Sequence, residues 1–268
     1  MPDVSKRDLS EATRRLSLAG CVAAEDEARE LAATASGDAS HLASLVERRT
    51  TGEPLAWITG TTTFCGCTIG IDPGVYVPRW QSEPLAERAA AVLPEHGRAI
   101  DLGTGSGALA CVLHARKPRA SVLGTENDPV AAACARRNGI AVKQGDLFDG
   151  VPSAWRGTVD VVVAVLPYVP TDAIAYLPRD VRTFEPIASL DGGDDGLAVI
   201  SRAARAARRW LRPGGHLLLE VGGDQPDELG PMLERYGYDG LRVLSDGEGD
   251  PRGVEAVAAP APRVSTSG

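Results

Sequence analysis

The chain has little with which to build a metal centre, a disulfide framework or a membrane span. Its four histidines (His41, His96, His114, His216) are scattered, without metal-ligand spacing. Its five cysteines (Cys21, Cys65, Cys67, Cys111, Cys134) are odd in number and mostly lie in apolar contexts, which points to reduced thiols and a cytoplasmic location. Cys65-Gly66-Cys67 is too isolated a pair for a zinc site, so no metal is expected. There is no recognisable signal peptide, no apolar run long enough to span a membrane and no internal repeat. Positive charge is also short. With 28 Lys and Arg against 36 Asp and Glu, the net charge is −8, which argues against a broad phosphate-backbone surface and against direct nucleic-acid binding.

What is present suits a soluble globular protein: 43% hydrophobic and 24% charged residues in 268, enough for a full core and a small second domain. Residues 1–50 are rich in Ala, Leu, Glu and Arg. Leu9, Leu16, Leu31, Leu42, Leu45 and Val46 fall at loosely helical spacings, which predicts a small helical domain. Gly52-Glu53-Pro54-Leu55 breaks it. Residues 51–75 read as a linker with paired strands at 61–64 and 67–71 around a glycine turn. Over 76–260 strands and helices alternate, which implies a parallel sheet covered on both faces. Strands are predicted at 99–102, 121–125, 141–143, 159–165 and 216–221, with Leu211-Arg212-Pro213-Gly214-Gly215 as the turn into the last. Residues 241–244 and 254–258 suit an antiparallel hairpin, and the Pro- and Ser-rich tail, 261–268, is predicted to be disordered.

Asp101-Leu102-Gly103-Thr104-Gly105-Ser106-Gly107 is the most informative stretch, a glycine turn between a short apolar strand and an apolar helix. Glycines permit positive φ and close approach of backbone to a ligand, and the helix N-terminus offers free N–H groups. Two cofactor classes use such a turn. Gly103, Gly105 and Ala108 satisfy the dinucleotide pattern loosely, whereas Asp101, Gly103, Gly105 and Gly107 satisfy the S-adenosylmethionine pattern fully. A tight turn with no ligand is the plain alternative. Glu126, ending the next strand, suits ribose hydroxyls in either cofactor, and Asn127-Asp128-Pro129 starts a helix. Asp146, in Gly145-Asp146-Leu147-Phe148, is either an acceptor for the adenine amino group or a solvated turn acid.

Further segments then become recognisable. Gly52-Glu53-Pro54-Leu55-Ala56-Trp57-Ile58-Thr59-Gly60, Asp72-Pro73-Gly74-Val75-Tyr76-Val77-Pro78-Arg79, the glycine turn, Gly145 to Phe148, Phe184-Glu185-Pro186, Leu190 to Leu197 and Leu211 to Glu220 follow in one order. Together they resemble the PrmC/HemK family of protein-(glutamine-N5) methyltransferases. The resemblance implies a seven-stranded class I α/β methyltransferase domain of Rossmann-like form, preceded by a helical substrate-recruiting domain. It implies S-adenosylmethionine as cofactor, held by Arg79, Asp101, Gly103, Thr104, Gly105, Gly107, Glu126, Asn127, Asp146, Leu147 and Val165. It places substrate chemistry at Val165, Pro167, Tyr168 and Glu185.

One departure governs the expected chemistry. Where the family carries Asn-Pro-Pro-Tyr, this chain has Val165-Leu166-Pro167-Tyr168, and Val165 has no side-chain acceptor for a target amide. The family's Pro-Arg-Pro-Glu-Thr-Glu is Pro78-Arg79-Trp80-Gln81-Ser82-Glu83 here. The acceptor is accordingly either a protein glutamine, such as that of a release factor, oriented by backbone carbonyls, or a different nucleophile, including a small molecule. A protein that binds the cofactor without methyl transfer is a third reading, and a nicotinamide oxidoreductase a remote fourth. Tyr168 stacks on the target or packs in the core. Glu185 is a base, a substrate acceptor or half of an ion pair. Trp80 walls the pocket or packs beside the hairpin. Arg202, Arg205, Arg208 and Arg209 read as a solvated helix face.

Overall fold

The computed structural model describes residues 4–260, so the predicted tail at 261–268 lies outside the described residues. Three helices lead the chain: α1 (Lys6–Leu18), α2 (Ala24–Thr34) and α3 (Ala39–Thr50). Ser5 and Asp8 form a capping box at the start of α1, and Asp38 caps α3 by accepting from the N–H groups of Ser40 and His41. The apolar stripes of these helices bury Leu16, Leu31, Leu42, Leu45 and Val46 against one another. The short helix α4 (Leu55–Thr59) joins this bundle to the rest: Ile58 closes the helical cluster, while Ala56 and Trp57 pack into the core of the larger domain. The Trp57 indole N–H donates to the Val75 carbonyl at 2.9 Å, which fixes that junction.

Strands β1 (Thr61–Phe64) and β2 (Cys67–Gly70) pair antiparallel around Cys65 and Gly66, both at positive φ, as a two-residue hairpin requires. Beyond them come α5 (Glu83–Val92), β3 (Arg98–Leu102), α6 (Ala108–Arg116), β4 (Ser121–Glu126), α7 (Pro129–Arg137), β5 (Val142–Gln144) and β6 (Val159–Ala164). The chain continues through α8 (Arg179–Phe184), α9 (Ala198–Ala207), β7 (Leu211–Glu220), α10 (Gln225–Arg235), β8 (Tyr238–Ser245) and β9 (Pro251–Ala258). The large sheet has seven strands in the order β5-β4-β3-β6-β7-β9-β8. β3 to β7 run parallel, and β9 is antiparallel to both β7 and β8.

Side chains alternate across this sheet. Ile100, Leu102, Val162, Ala164 and Leu219 pack beneath α9 and α10, while Ala99, Val161, Val163 and Leu218 pack beneath α5, α6 and the small hairpin. The pattern is nearly continuous apolar sequence, as expected for strands covered on both faces. β7 begins earlier than its sequence predicts: Leu211 already pairs with Val159. A register shift before His216 meets Val161 absorbs Pro213 and Gly214 inside the strand rather than before it. β8 is likewise longer than predicted.

Candidate active site

The strand order reverses between β3 and β6, and in parallel sheets this is where ligands bind, at the carboxyl edge. A cavity of about 250 Å³ opens there, lined by Gly103 and Gly105 after β3, Glu126 and Asn127 after β4, Asp146 and Leu147 after β5, and Val165, Pro167 and Tyr168 after β6. The four loops converge because four adjacent strands end together.

The glycine turn is locked from two sides. Asp101, 1% exposed, accepts from the Thr104 hydroxyl at 2.6 Å and from the Ala110 N–H at 3.1 Å, tying the turn to the first turn of α6. Burial pushes its carboxyl up to about 7, with those two hydrogen bonds opposing the shift. From the other side Glu126 accepts from the Gly105 N–H at 2.9 Å and from the Asp128 N–H at 3.0 Å. Gly103 and Gly107 have φ of 63° and 86°, a left-handed backbone, and each is also closely packed. A Cβ on Gly103 would lie 3.0 Å from Leu166, and one on Gly107 would lie 3.1 Å from Ile140. A Cβ on Gly105, at φ 56°, would make an ordinary contact of 4.0 Å with the Gly103 carbonyl.

Not every residue expected to hold cofactor borders the cavity. Asp101, Thr104 and Gly107 lie behind the turn and build it. Arg79 lies outside as well: its guanidinium pairs with Glu185 and sits 5.3 Å from the centroid of the Tyr76 ring. Glu185 is therefore the buried half of an ion pair. Burial raises its carboxyl while Arg79 opposes the shift. The pair borders a groove between α2, α3, the small hairpin and α8. Trp80 lines neither cavity; it is 58% exposed, with Arg252 over its ring at 5.5 Å.

The structure adds contacts that the sequence reading did not give, and two residues, Thr125 and Glu220, that it did not single out. Arg202, read as a solvated face, reaches from α9 to pair with Asp146 at the cavity rim. Leu147 holds φ at 47°, a left-handed conformation uncommon for a branched side chain, directly at the cavity wall. Thr125 lines the cavity, and its hydroxyl is buried with no partner among the described residues. Tyr168 is positioned by the Gly192 to Gly196 loop: a Cβ on Gly196 would fall 2.2 Å from the Tyr168 carbonyl, which also accepts from Gln225 Nε2 at 2.9 Å. The glycines of that loop thus have a packing reason, to let it pass against the backbone after β6. Glu220 ends β7 as Glu126 ends β4, an acid closing an apolar run; that signal was available in the sequence.

Among the described residues no group of three or more His, Cys, Asp and Glu side chains is placed to hold a metal ion, and no helix is long and apolar enough to cross a membrane.

Comparison with known proteins gives the family and the fold. The Methyltransferase small domain family matches residues 82–167. A release factor glutamine methyltransferase of Geobacter sulfurreducens is 36% identical over 219 residues, covering 80% of this chain and 75% of that protein. One from Moorella thermoacetica is 37% identical over 219 residues, covering 77% and 76%. Among solved structures, the hMettl16 catalytic domain in complex with the MAT2A 3′UTR hairpin 1 superposes with a TM-score of 0.56 at 15% identity, covering 72% of this chain and 77% of that one, a likeness of fold.

Proposed function

This chain belongs to the release factor glutamine methyltransferase family, and from that premise we propose that its methyl acceptor is the side-chain amide nitrogen of a protein glutamine, the protein being a release factor. It is an S-adenosylmethionine-dependent methyltransferase. The observation that carries the substrate reading is the single cavity joining the glycine turn, Glu126, Asp146 and the Val165–Tyr168 turn, so that cofactor and acceptor share one enclosure. The alternatives of a small-molecule nucleophile, or of cofactor binding without transfer, are not favoured by relatives named for glutamine methyl transfer.

The residues present fit the cofactor. Glu126 offers carboxylate oxygens, the Thr125 hydroxyl has no partner among the described residues, and Val75, Leu147 and Val199 give an apolar wall. In our reading Gly103 and Gly105 take the methionine portion, Glu126 and Asn127 the ribose hydroxyls, and Asp146 and Leu147 the adenine. Asp101, Thr104 and Gly107 act by holding the surrounding backbone, and Arg79 acts through its ion pair with Glu185. When bound, the cofactor supplies an electrophilic methyl on a sulfonium that leaves readily.

An amide nitrogen is a poor nucleophile because its lone pair is delocalised into the carbonyl. The chain must therefore hold the amide N–H groups against acceptors, aim the nitrogen and exclude water. Tyr168 and Pro167 wall the acceptor side. Among the described residues no backbone N–H donates to the carbonyls of Val165, Leu166 or Pro167, so these remain available as acceptors where the family's Asn is missing. Substrate selection falls to residues up to 50, with 51–75 as the linker and 76–260 as the transferring domain; the separate apolar cluster of α1–α3 supports that division. A cytoplasmic location belongs to the same reading, and five free thiols support it.

The test is incubation with purified release factor and methyl-labelled cofactor, followed by peptide mass spectrometry. A singly methylated glutamine is expected. Label on another residue type, or none while the chain binds S-adenosylhomocysteine, would refute the glutamine reading.

A further inference from the structure

Beside the cofactor cavity lies a second cavity of about 240 Å³, which shares Tyr76, Tyr168, Val169 and Leu190 with the first. Two arginines border it and both are already matched: Arg79 by Glu185, and Arg252 by Asp246 and Asp250. Two residues on its wall carry unmatched acceptor atoms. Gln81 Oε1 and Glu220 Oε2 are buried and have no hydrogen-bond partner among the described residues. Glu220 is 3% exposed. Burial raises the Glu220 carboxyl and the nearby hydroxyls of Ser82 and Tyr168 oppose that shift, yet neither meets hydrogen-bond geometry at Oε2. Buried acceptors are ordinarily satisfied, so this wall is complementary to a group that brings N–H donors.

The sheet register says which group. β6 and β7 are parallel, with Val163 opposite Leu218 and Ala164 opposite Leu219, so one further step sets Val165 beside Glu220. Val163, Leu218 and Val165 all pack on the α5–α6 face, which places Val165 and Glu220 on the same side of the sheet. The acceptor missing from the end of β6 thus has a neighbour at the end of β7. We propose that Glu220, together with Gln81, accepts the N–H groups of the substrate carboxamide in place of the side-chain acceptor absent at Val165. This rests on the amide-acceptor reading above. A primary amide carries two N–H donors on one nitrogen and matches two acceptors, whereas a carboxylate offers none.

The experiment uses the full chain with S-adenosylhomocysteine and two probes, L-glutamine and L-glutamate, read by saturation-transfer NMR. The wild-type complex is expected to show glutamine signals and no glutamate signals. Glu220→Met and Gln81→Met, which keep side-chain length and remove the acceptor, should each lose the glutamine signal while binding S-adenosylhomocysteine within twofold of wild type. Either variant suffices if the other does not fold. Methyl transfer to release factor should fall at least tenfold in Glu220→Met and recover when Val165→Asn is added, because Asn restores an acceptor one strand away. A wild-type complex that does not prefer glutamine, or folded variants that bind it as wild type does, would overturn the proposal. Glutamine binding that depends on Glu220, with no methylation of release factor, would support the subsite and refute only the protein substrate.

Discussion

Glu126 couples the cofactor cavity to the architecture of the turn, so its replacement should be felt twice. The side chain is 8% exposed, and its two oxygens accept from the backbone N–H groups of Gly105 and Asp128 at 2.9 and 3.0 Å. Hydrogen bonds to a charged group contribute about 1.5–3 kcal/mol each, but part of that returns when the freed N–H groups meet water, so Glu126→Ala should destabilise the fold by about 2–4 kcal/mol. For a chain of this size that corresponds to a fall in Tm of roughly 5–15 °C. Ribose hydroxyls left without an acceptor should cost a further 1–3 kcal/mol of binding, about 5- to 150-fold in Kd. Glu126→Gln keeps one acceptor oxygen and turns an amide N–H₂ towards a backbone N–H, so it should fall between wild type and Ala in both measurements. Thermal unfolding and calorimetric titration with S-adenosylhomocysteine, run on the three proteins, test the order. If Glu126→Ala melts within about 2 °C of wild type and binds with unchanged affinity, Glu126 neither holds the turn nor meets the ribose, and the assignment is refuted.

Gly107→Ala should separate stability from binding: the left-handed backbone costs about 1–2 kcal/mol and the contact with Ile140 adds to it, but Gly107 does not border the cavity. A lower denaturation midpoint with unchanged affinity in the folded protein is expected, and a loss of affinity alone would contradict the placement. Asp101 has a folded-state pKa of about 7 against an ordinary 3.8, so between about pH 4 and 7 the folded chain keeps a proton that the unfolded chain has released. The contribution of Asp101 to stability therefore falls as pH rises through that window. The stability of wild type minus that of Asp101→Asn, from urea titrations, should decline from pH 4 to 7 and level off above; a pH-independent difference would refute the burial argument. The exposed Arg202–Asp146 pair should contribute little to stability, within about 0.5 kcal/mol for Arg202→Ala, while Asp146→Ala should weaken S-adenosylhomocysteine binding by about 1 kcal/mol through loss of an acceptor. Equal binding by Asp146→Ala and wild type would return Asp146 to the role of a solvated turn acid.

The alternation of strands and helices, the helical leader and the glycine turn were legible along the chain, because these are written in local periodicity and in residues with unusual backbone freedom. Asp101, Gly103, Gly105 and Glu126 could be picked out at the ends of apolar strands for the same reason. Where each side chain points was not local information. Asp101 and Glu126 are both acids at strand ends, yet one turns behind the glycine loop to Thr104 and Ala110 while the other borders the cavity. Arg79 finds Glu185 across 106 positions and Arg202 finds Asp146 across 56, pairings that exist only once α8 and α9 fold back over the sheet. The adjacency of Val165 and Glu220 likewise comes from the parallel pairing of β6 with β7, strands separated in the chain by α8, α9 and their loops. Local sequence sets which conformations a segment prefers. Which acceptors remain buried and unpaired depends on what the rest of the chain brings to them, and that is fixed only by the tertiary packing.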